Sequence, residues 1–216
     1  MIFPQIQKPV LALILAASCQ AAWAGPEEDY TSGYDMYYKK GDVVEAMPLL
    51  TKAADAGYAP AQATLGGILD YSEYDEDAIA YYRKAADQGN AEGQFGLGSM
   101  LSIGEGAPKD TTEARRLIAL AAEQGHKQAV SVLAQAYISG KLDIPENERQ
   151  GAEAQRWIKL SAEDNYLPAI DALIKAYREG GLGLEANAAE AERWQAKSYE
   201  LQGLNKKGQR KRAPKK

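Results

Sequence analysis

One cysteine and one histidine serve the 216 residues of this chain, and that scarcity removes whole classes of chemistry. Cys19 lies inside an N-terminal stretch that reads as a cleaved segment, so a mature chain starting near Gly25 has no thiol. Disulfides, zinc thiolate sites and cysteine nucleophiles drop out together. The sole imidazole is His126, and no Ser-x-x-Lys, Gly-x-Ser-x-Gly or His-Glu-x-x-His pattern accompanies it. A nucleophile held beside its base, which covalent catalysis requires, is therefore not visible. His126 follows Gly125 and reads as a turn residue. The 30 carboxylates could act in pairs, as in glycoside hydrolysis, but with so many of them proximity carries no signal. These absences lead us to expect no enzyme, no cofactor and no metal.

Long apolar runs are missing beyond the start. Residues 1–24 hold no acid, one lysine (Lys8), an apolar run from Val10 to Ala17, and Ala22-Trp23-Ala24 before Gly25. That run is too short for a permanent bilayer span, and a small-x-small ending marks a secretory signal. The expectation is a signal peptide over 1–24 and a periplasmic or secreted product with no transmembrane segment after cleavage. Lipidation at Cys19 is the competing reading. Leu15-Ala16-Ala17-Ser18 disfavours it, because the large apolar residue sits one position too early.

What the chain does have is repetition. Lys52–Gly66 is echoed at Lys84–Gly98, Leu120–Ala134 and Leu160–Ile174, and the anchors Ala54, Ala86, Ala122 and Ala162 are 32, 36 and 40 residues apart. In each copy a pair of small residues (Ala121-Ala122, Ser161-Ala162) precedes Gly57, Gly89, Gly125 or Asn165, the residue that ends a helix in the left-handed region. Beyond the stop, Ala61, Gly93, Ala129 and Ala169 come at the fourth position, and Leu65, Leu97, Leu133 and Leu173 at the eighth. Leu69, Leu101, Tyr137 and Tyr177 occupy the twelfth. Steps of four put small and large residues on one helical face, alternating so that facing helices interdigitate. Helix, tight turn and helix, repeated, predict an all-α fold: an α/α superhelical solenoid of about five helix-turn-helix units. The units fall at about 29–57, 58–89, 90–125, 126–165 and 166–203, within a repeat domain over 25–204.

Several stretches invite sharper readings. The acidic run Asp70–Asp77 lacks the glycine and closing glutamate of a calcium loop, and acids at a helix start are explained by capping and the helix dipole. Gly104–Asp110 follows a helix and has no Gly-Lys-Ser/Thr, so it is a connector and not a phosphate loop. Trp157 and Trp194 fall in second helices and read as packing residues. Pro48 interrupts the second helix of the first unit and is tolerated best near its first turns. Tyr30, Tyr34, Tyr37 and Tyr38 crowd the first helix, where they either cover the end of the core or form a contact patch. For partner contact we single out Tyr34, Tyr38, Tyr71 and Tyr74.

Charge is divided unevenly. Seven of the 25 bases lie in the last eleven residues, Lys206, Lys207, Arg210, Lys211 and Arg212 among them, and residues 205–216 read as a basic disordered tail. Without those seven and Lys8, 17 bases face 30 acids, a body of about −13. The tail is suited to an anionic membrane surface, a cell-wall polymer or an acidic protein. Export and the lack of interleaved aromatic residues argue against nucleic acid.

The third and fourth units resemble the Sel-one-like repeat branch of tetratricopeptide-type solenoids. Leu97-Gly98, Gly104, Gly106, Asp110, Ala114 and Ala121-Ala122-Glu123-Gln124-Gly125 fit its pattern, as do Leu133, Tyr137, Gly140, Ala154, Trp157 and Ala162-Glu163. The fifth unit adds Leu173, Tyr177, Gly180, Ala191 and Trp194; the second keeps Leu65-Gly66 and Tyr81-Tyr82-Arg83-Lys84-Ala85-Ala86 without the glycine connector. The resemblance covers about 59–201 well and 29–57 loosely. It implies a right-handed superhelix whose concave face holds another protein, with immunity, regulatory or envelope-assembly roles among exported bacterial members. We lean to an immunity or regulatory protein of the periplasm. The alternatives are a cell-wall-active hydrolase or β-lactamase-like enzyme, and an envelope tether that binds anionic polymer through its tail. A secreted branch linked to β-lactams is rich in paired cysteines, and this chain lacks them.

Overall fold

The computed structural model of the chain describes residues 25–205 and 208–210. The expected signal segment with Cys19, and Lys206, Lys207, Lys211 and Arg212 of the tail, lie outside those residues. Ten α-helices follow one another: α1 (Pro26–Asp35), α2 (Val43–Asp55), α3 (Ala59–Tyr71), α4 (Asp75–Asp87), α5 (Ala91–Ile103), α6 (Thr111–Glu123), α7 (Lys127–Ser139), α8 (Ala152–Glu163), α9 (Leu167–Glu179) and α10 (Ala188–Leu201). They pair as neighbours, α1 with α2 through α9 with α10, and each pair stacks on the next. The odd-numbered helices also meet, α3 on α5 and α7 on α9, which divides the array into two layers. This is the α/α solenoid that the repeat implies, with each unit burying its apolar face against its neighbours.

The turn between units is built the same way four times. Tyr58 N–H donates to the Ala53 carbonyl while Gly57 N–H donates to Ala54. Asn90 and Gly89 do the same to Ala85 and Ala86, His126 and Gly125 to Ala121 and Ala122, and Tyr166 and Asn165 to Ser161 and Ala162. These crossed bonds satisfy carbonyls that the helix end would otherwise orphan, and they require a left-handed residue between them. Gly57, Gly89, Gly125 and Asn165 supply it at φ 87, 79, 82 and 70°. All four small pairs are buried, as close approach of a second helix demands.

The first unit departs most from the others. Its α1 runs on into a π-helical turn, Met36–Lys40, closed by Gly41 at φ 72°. The Asp42 carboxylate then accepts from Glu45 N–H at 3.2 Å to cap α2. Pro48 is the sixth residue of α2, deeper than expected. It deprives the Val44 carbonyl of a donor, and Val44 is 81% exposed, so water can take its place. A second correction concerns the acids that open α4. Tyr74 stands at the N-cap with no side-chain bond, so Asp75, Glu76 and Asp77 serve α4 through charge and dipole alone.

Connector length follows the glycines and prolines. Asp110 ends the third connector and caps α6, its carboxylate accepting from Glu113 N–H at 2.9 Å. In the fourth, Ile144 is buried and the Arg149 guanidinium donates to the Tyr137 and Ile138 carbonyls at 3.1 and 3.0 Å, closing the end of α7. After α10 the chain turns back: Leu204 pairs with Arg210 and Gly208 rests on the Tyr199 ring. Among the described residues no helix is long and apolar enough to cross a membrane.

Candidate functional site

The two layers present different chemistry to their surroundings. On the even layer, charges are matched between units: the Arg156 guanidinium of α8 holds the Glu123 carboxylate of α6 with two bonds of 2.5 Å, and Arg115 reaches Glu148 at 3.2 Å. The Arg156 pair keeps the Glu123 carboxyl below its usual range. Leu120 of α6 and Leu160 of α8 are partly exposed as well.

The odd layer is indented instead. Between α5 and α7 runs a groove of about 950 Å³, with Phe95, Ile103 and Val132 on its apolar side and Ser131 and Gln135 among its polar groups. Ile103 is 62% exposed and Val132 37%. One end carries the Lys127–Asp164 pair at 3.8 Å, and at the other Thr111 Oγ1 donates to the Asp143 carboxylate. The groove's apolar body with a few placed polar groups is the composition of a recognition surface.

A second depression, about 430 Å³, lies toward the N-terminus where α1, α3 and α5 meet. Tyr30 and Tyr34 line it from α1, Tyr38 from the π-helical turn, Thr64 from α3, and Asn90 and Glu92 from the start of α5. The rings form a chain: Tyr30 to Tyr34 at 5.6 Å between centroids, Tyr34 to Tyr38 at 4.5 Å, with Tyr58 and Tyr37 flanking at 5.3 and 4.9 Å. Tyr30 and Tyr37 pack on the first unit's core while Tyr34 and Tyr38 stay exposed. End cover and open patch are thus divided between different tyrosines. Burial pushes the Tyr30 and Tyr38 phenols up from their ordinary value, and the neighbouring rings and Glu92 act in the same direction.

His126 joins the two depressions. Its Nδ1 accepts from Ala129 N–H at 3.2 Å and so caps α7. In the neutral ring the proton must then sit on Nε2, which faces the Glu92 carboxylate at 2.9 Å. The imidazole stacks on Phe95 with centroids 4.6 Å apart. Both nitrogens are engaged in structure, in keeping with a turn residue. The signal was in the register: Asn90, at the equivalent position one unit earlier, caps α5 through Gly93 N–H at 2.9 Å.

Of the partner-contact residues read from sequence, the fold brings Tyr34 and Tyr38 together in the tyrosine notch. Tyr71 and Tyr74 are 89% and 61% exposed at the α3–α4 turn, outside both depressions. Arg210 is exposed in the turn after α10. Phe95, Ile103, Val132 and Glu92 were not anticipated. Trp157 and Trp194 are buried, 1% and 4% exposed, and pack between helices as read. Among the described residues no group of three or more His, Cys, Asp or Glu could hold a metal ion.

A two-layer helical array with an open groove on one layer defines a tetratricopeptide-like scaffold for protein–protein interaction. The Sel1 repeat matches residues 19–58, 67–90, 91–126, 128–166 and 175–202, which is most of the chain, and the chain belongs to that family. The match includes the first unit, which the sequence motifs covered only loosely. Solved structures agree on the fold. A Sel1 repeat protein from Oxalobacter formigenes superposes with a TM-score of 0.66 at 24% identity, over 82% of this chain and 73% of that one. A protective antigen of uropathogenic Escherichia coli with an SLR fold gives 0.69 at 29% identity; 83% of this chain is covered, but only 38% of the antigen. A Sel1 repeat protein from Klebsiella pneumoniae gives 0.54 at 23% identity, over 85% and 89% of the two chains. No curated protein matches the chain.

Proposed function

We propose that this protein is an exported, non-enzymatic scaffold that holds a protein partner in the odd-layer groove, as an immunity or regulatory protein of the bacterial periplasm. The observation that carries the reading is the groove between α5 and α7, where Ile103 and Val132 stand exposed beside a half-buried Phe95. Regular stacking presents such a surface without a catalytic cleft. The engagement of both His126 nitrogens supports the non-enzymatic part. Export rests on the signal-like residues 1–24, and the immunity or regulatory role on family resemblance.

Capture from the envelope of the source cell tests the groove. The native chain is expected to recover one protein in stoichiometric amount, and Val132→Asp, which places a charge on the apolar line at an already exposed position, is expected to lose it at an unchanged melting temperature. Equal recovery by both would remove the groove from the reading. Export is tested by the N-terminus of the protein isolated from the periplasm, expected at Gly25. A start at Met1, or a lipid on Cys19, would contradict it.

A further inference from the structure

The tyrosine notch has a composition the groove lacks. Three phenol rings line it, and they belong to a chain of rings with centroids 4.5 to 5.6 Å apart. One carboxylate, Glu92, lines it, and among the described residues no lysine or arginine does. Ring faces carry negative quadrupole potential, and beside a carboxylate they attract a cation that can shed part of its water. Glu92 is committed on one side only. Its Oε2 meets His126 Nε2, its side chain is 56% exposed, and Oε1 has no such partner among the described residues. His126 therefore fixes the carboxylate's position without closing it.

We propose that this notch is a cation subsite that receives an arginine side chain from the polypeptide partner. Guanidinium fits better than ammonium, because a planar ion can stack on a tyrosine face while its edge donates to Glu92 Oε1. The acidic body, 17 bases against 30 acids outside the tail and Lys8, favours approach of a basic segment. Geometry supplies the continuity: Glu92 and Phe95 are one helical turn apart on α5, and His126 touches both, so a chain lying in the groove reaches the notch without leaving the odd layer. The inference deepens the groove reading and rests on it for the identity of the surface.

The test is a titration of the full protein, labelled with nitrogen-15, with acetyl-Gly-Arg-Gly-amide and with its citrulline counterpart, which has the same shape and no charge. The arginine peptide is expected to shift the Thr64, Gly67 and Glu92 amides, and the citrulline peptide to bind about tenfold more weakly or worse. Glu92→Gln and Tyr34→Leu are each expected to lose the response, whereas Tyr34→Phe, which keeps the ring, retains it. That contrast separates recognition from loss of fold. Val132→Asp leaves the titration unchanged, so notch and groove can fail separately. Equal response to both peptides, no response, or shifts confined to the acidic start of α4 would overturn the proposal. So would changes of the same amides with protein concentration alone, because they would assign the notch to a second copy of this chain.

Discussion

Replacing Trp157 by alanine is expected to cost about 3–5 kcal/mol, the range for truncating a buried indole. Trp157 is 1% exposed on α8 and lies in one cluster with Leu133, Tyr137, Ile158 and Leu173. Its Nε1 donates to Glu153 at 3.4 Å, and the Arg156 guanidinium covers the ring at 4.4 Å. Burial first and the neighbouring Glu153 carboxylate second push the Tyr137 phenol up to about 12. Truncation thus empties an indole-sized space and leaves Glu153 without its indole donor. Because units couple only to their neighbours, the damage should be graded along the array. Hydrogen exchange is expected to accelerate in α7, α8 and α9 well before α3 and α4. A denaturant midpoint that implies a loss below about 1 kcal/mol would mean the site collapses around the void, and the cluster is not close-packed.

The second large effect is a reversal of sign. Tyr82 of α4 is buried, and its ring is wedged between Gly66 of α3 and Gly96 of α5. A Cβ added at Gly66 would fall 2.7 Å from the ring, and one at Gly96 would fall 2.3 Å from it. Neither glycine can grow while the ring is present, and the ring cannot retreat from one without striking the other. Gly96→Ala is therefore expected to destabilise by about 1–3 kcal/mol, although alanine is the better helix former by about 1 kcal/mol. Tyr82→Ala alone is expected to cost about 3–5 kcal/mol, as for other large aromatic truncations. In that background Gly96→Ala should become stabilising, since only the propensity gain and some filling of the void remain. A double-mutant cycle by urea denaturation checks this. Additive effects, with no change of sign, would show that Tyr82 and Gly96 are not in contact.

This pair also shows how far the sequence could be read. Leu65-Gly66 and Leu97-Gly98 were visible as repeat motifs, and the steps of four from each helix stop placed Ala61, Leu65, Ala129 and Leu133 in the core, where they are buried. Helix, stop and face are local properties, so one unit read beside its siblings was enough. Contacts between units were harder. That Gly96, which is not a repeat anchor, yields space to Tyr82 depends on how α4 lies across α3 and α5. The same holds for the Gln88 amide that donates to the buried Gln62 at 2.7 Å, and for Gln124 donating to Gln94 at 2.8 Å. Those glutamines recur in register and could have been noticed.

The candidate site was legible only in part, for a related reason. Tyr34 and Tyr38 stood out because aromatic residues crowd one short helix, and the fold does bring them together with Tyr30. Tyr71 and Tyr74 have no such crowding around them: α3 ends at Tyr71, and both lie on the α3–α4 turn outside the two depressions. The groove went unread because its members, Phe95, Ile103 and Val132, carry no motif. Apolar residues on a helix of this kind are normally core, and only the arrangement of α5 beside α7 reveals Ile103 and Val132 to be open and Phe95 half-buried.

The measurement that bears most directly on the odd layer as the working surface is hydrogen exchange of this chain, free and in complex with the partner recovered by capture. The expected result is slowed exchange along α5 and α7, extending to the start of α3, with the even helices α6 and α8 unchanged. Protection concentrated on α6 and α8, or at the turn after α10, with α5 and α7 unaltered, would contradict the groove as the site that holds the partner.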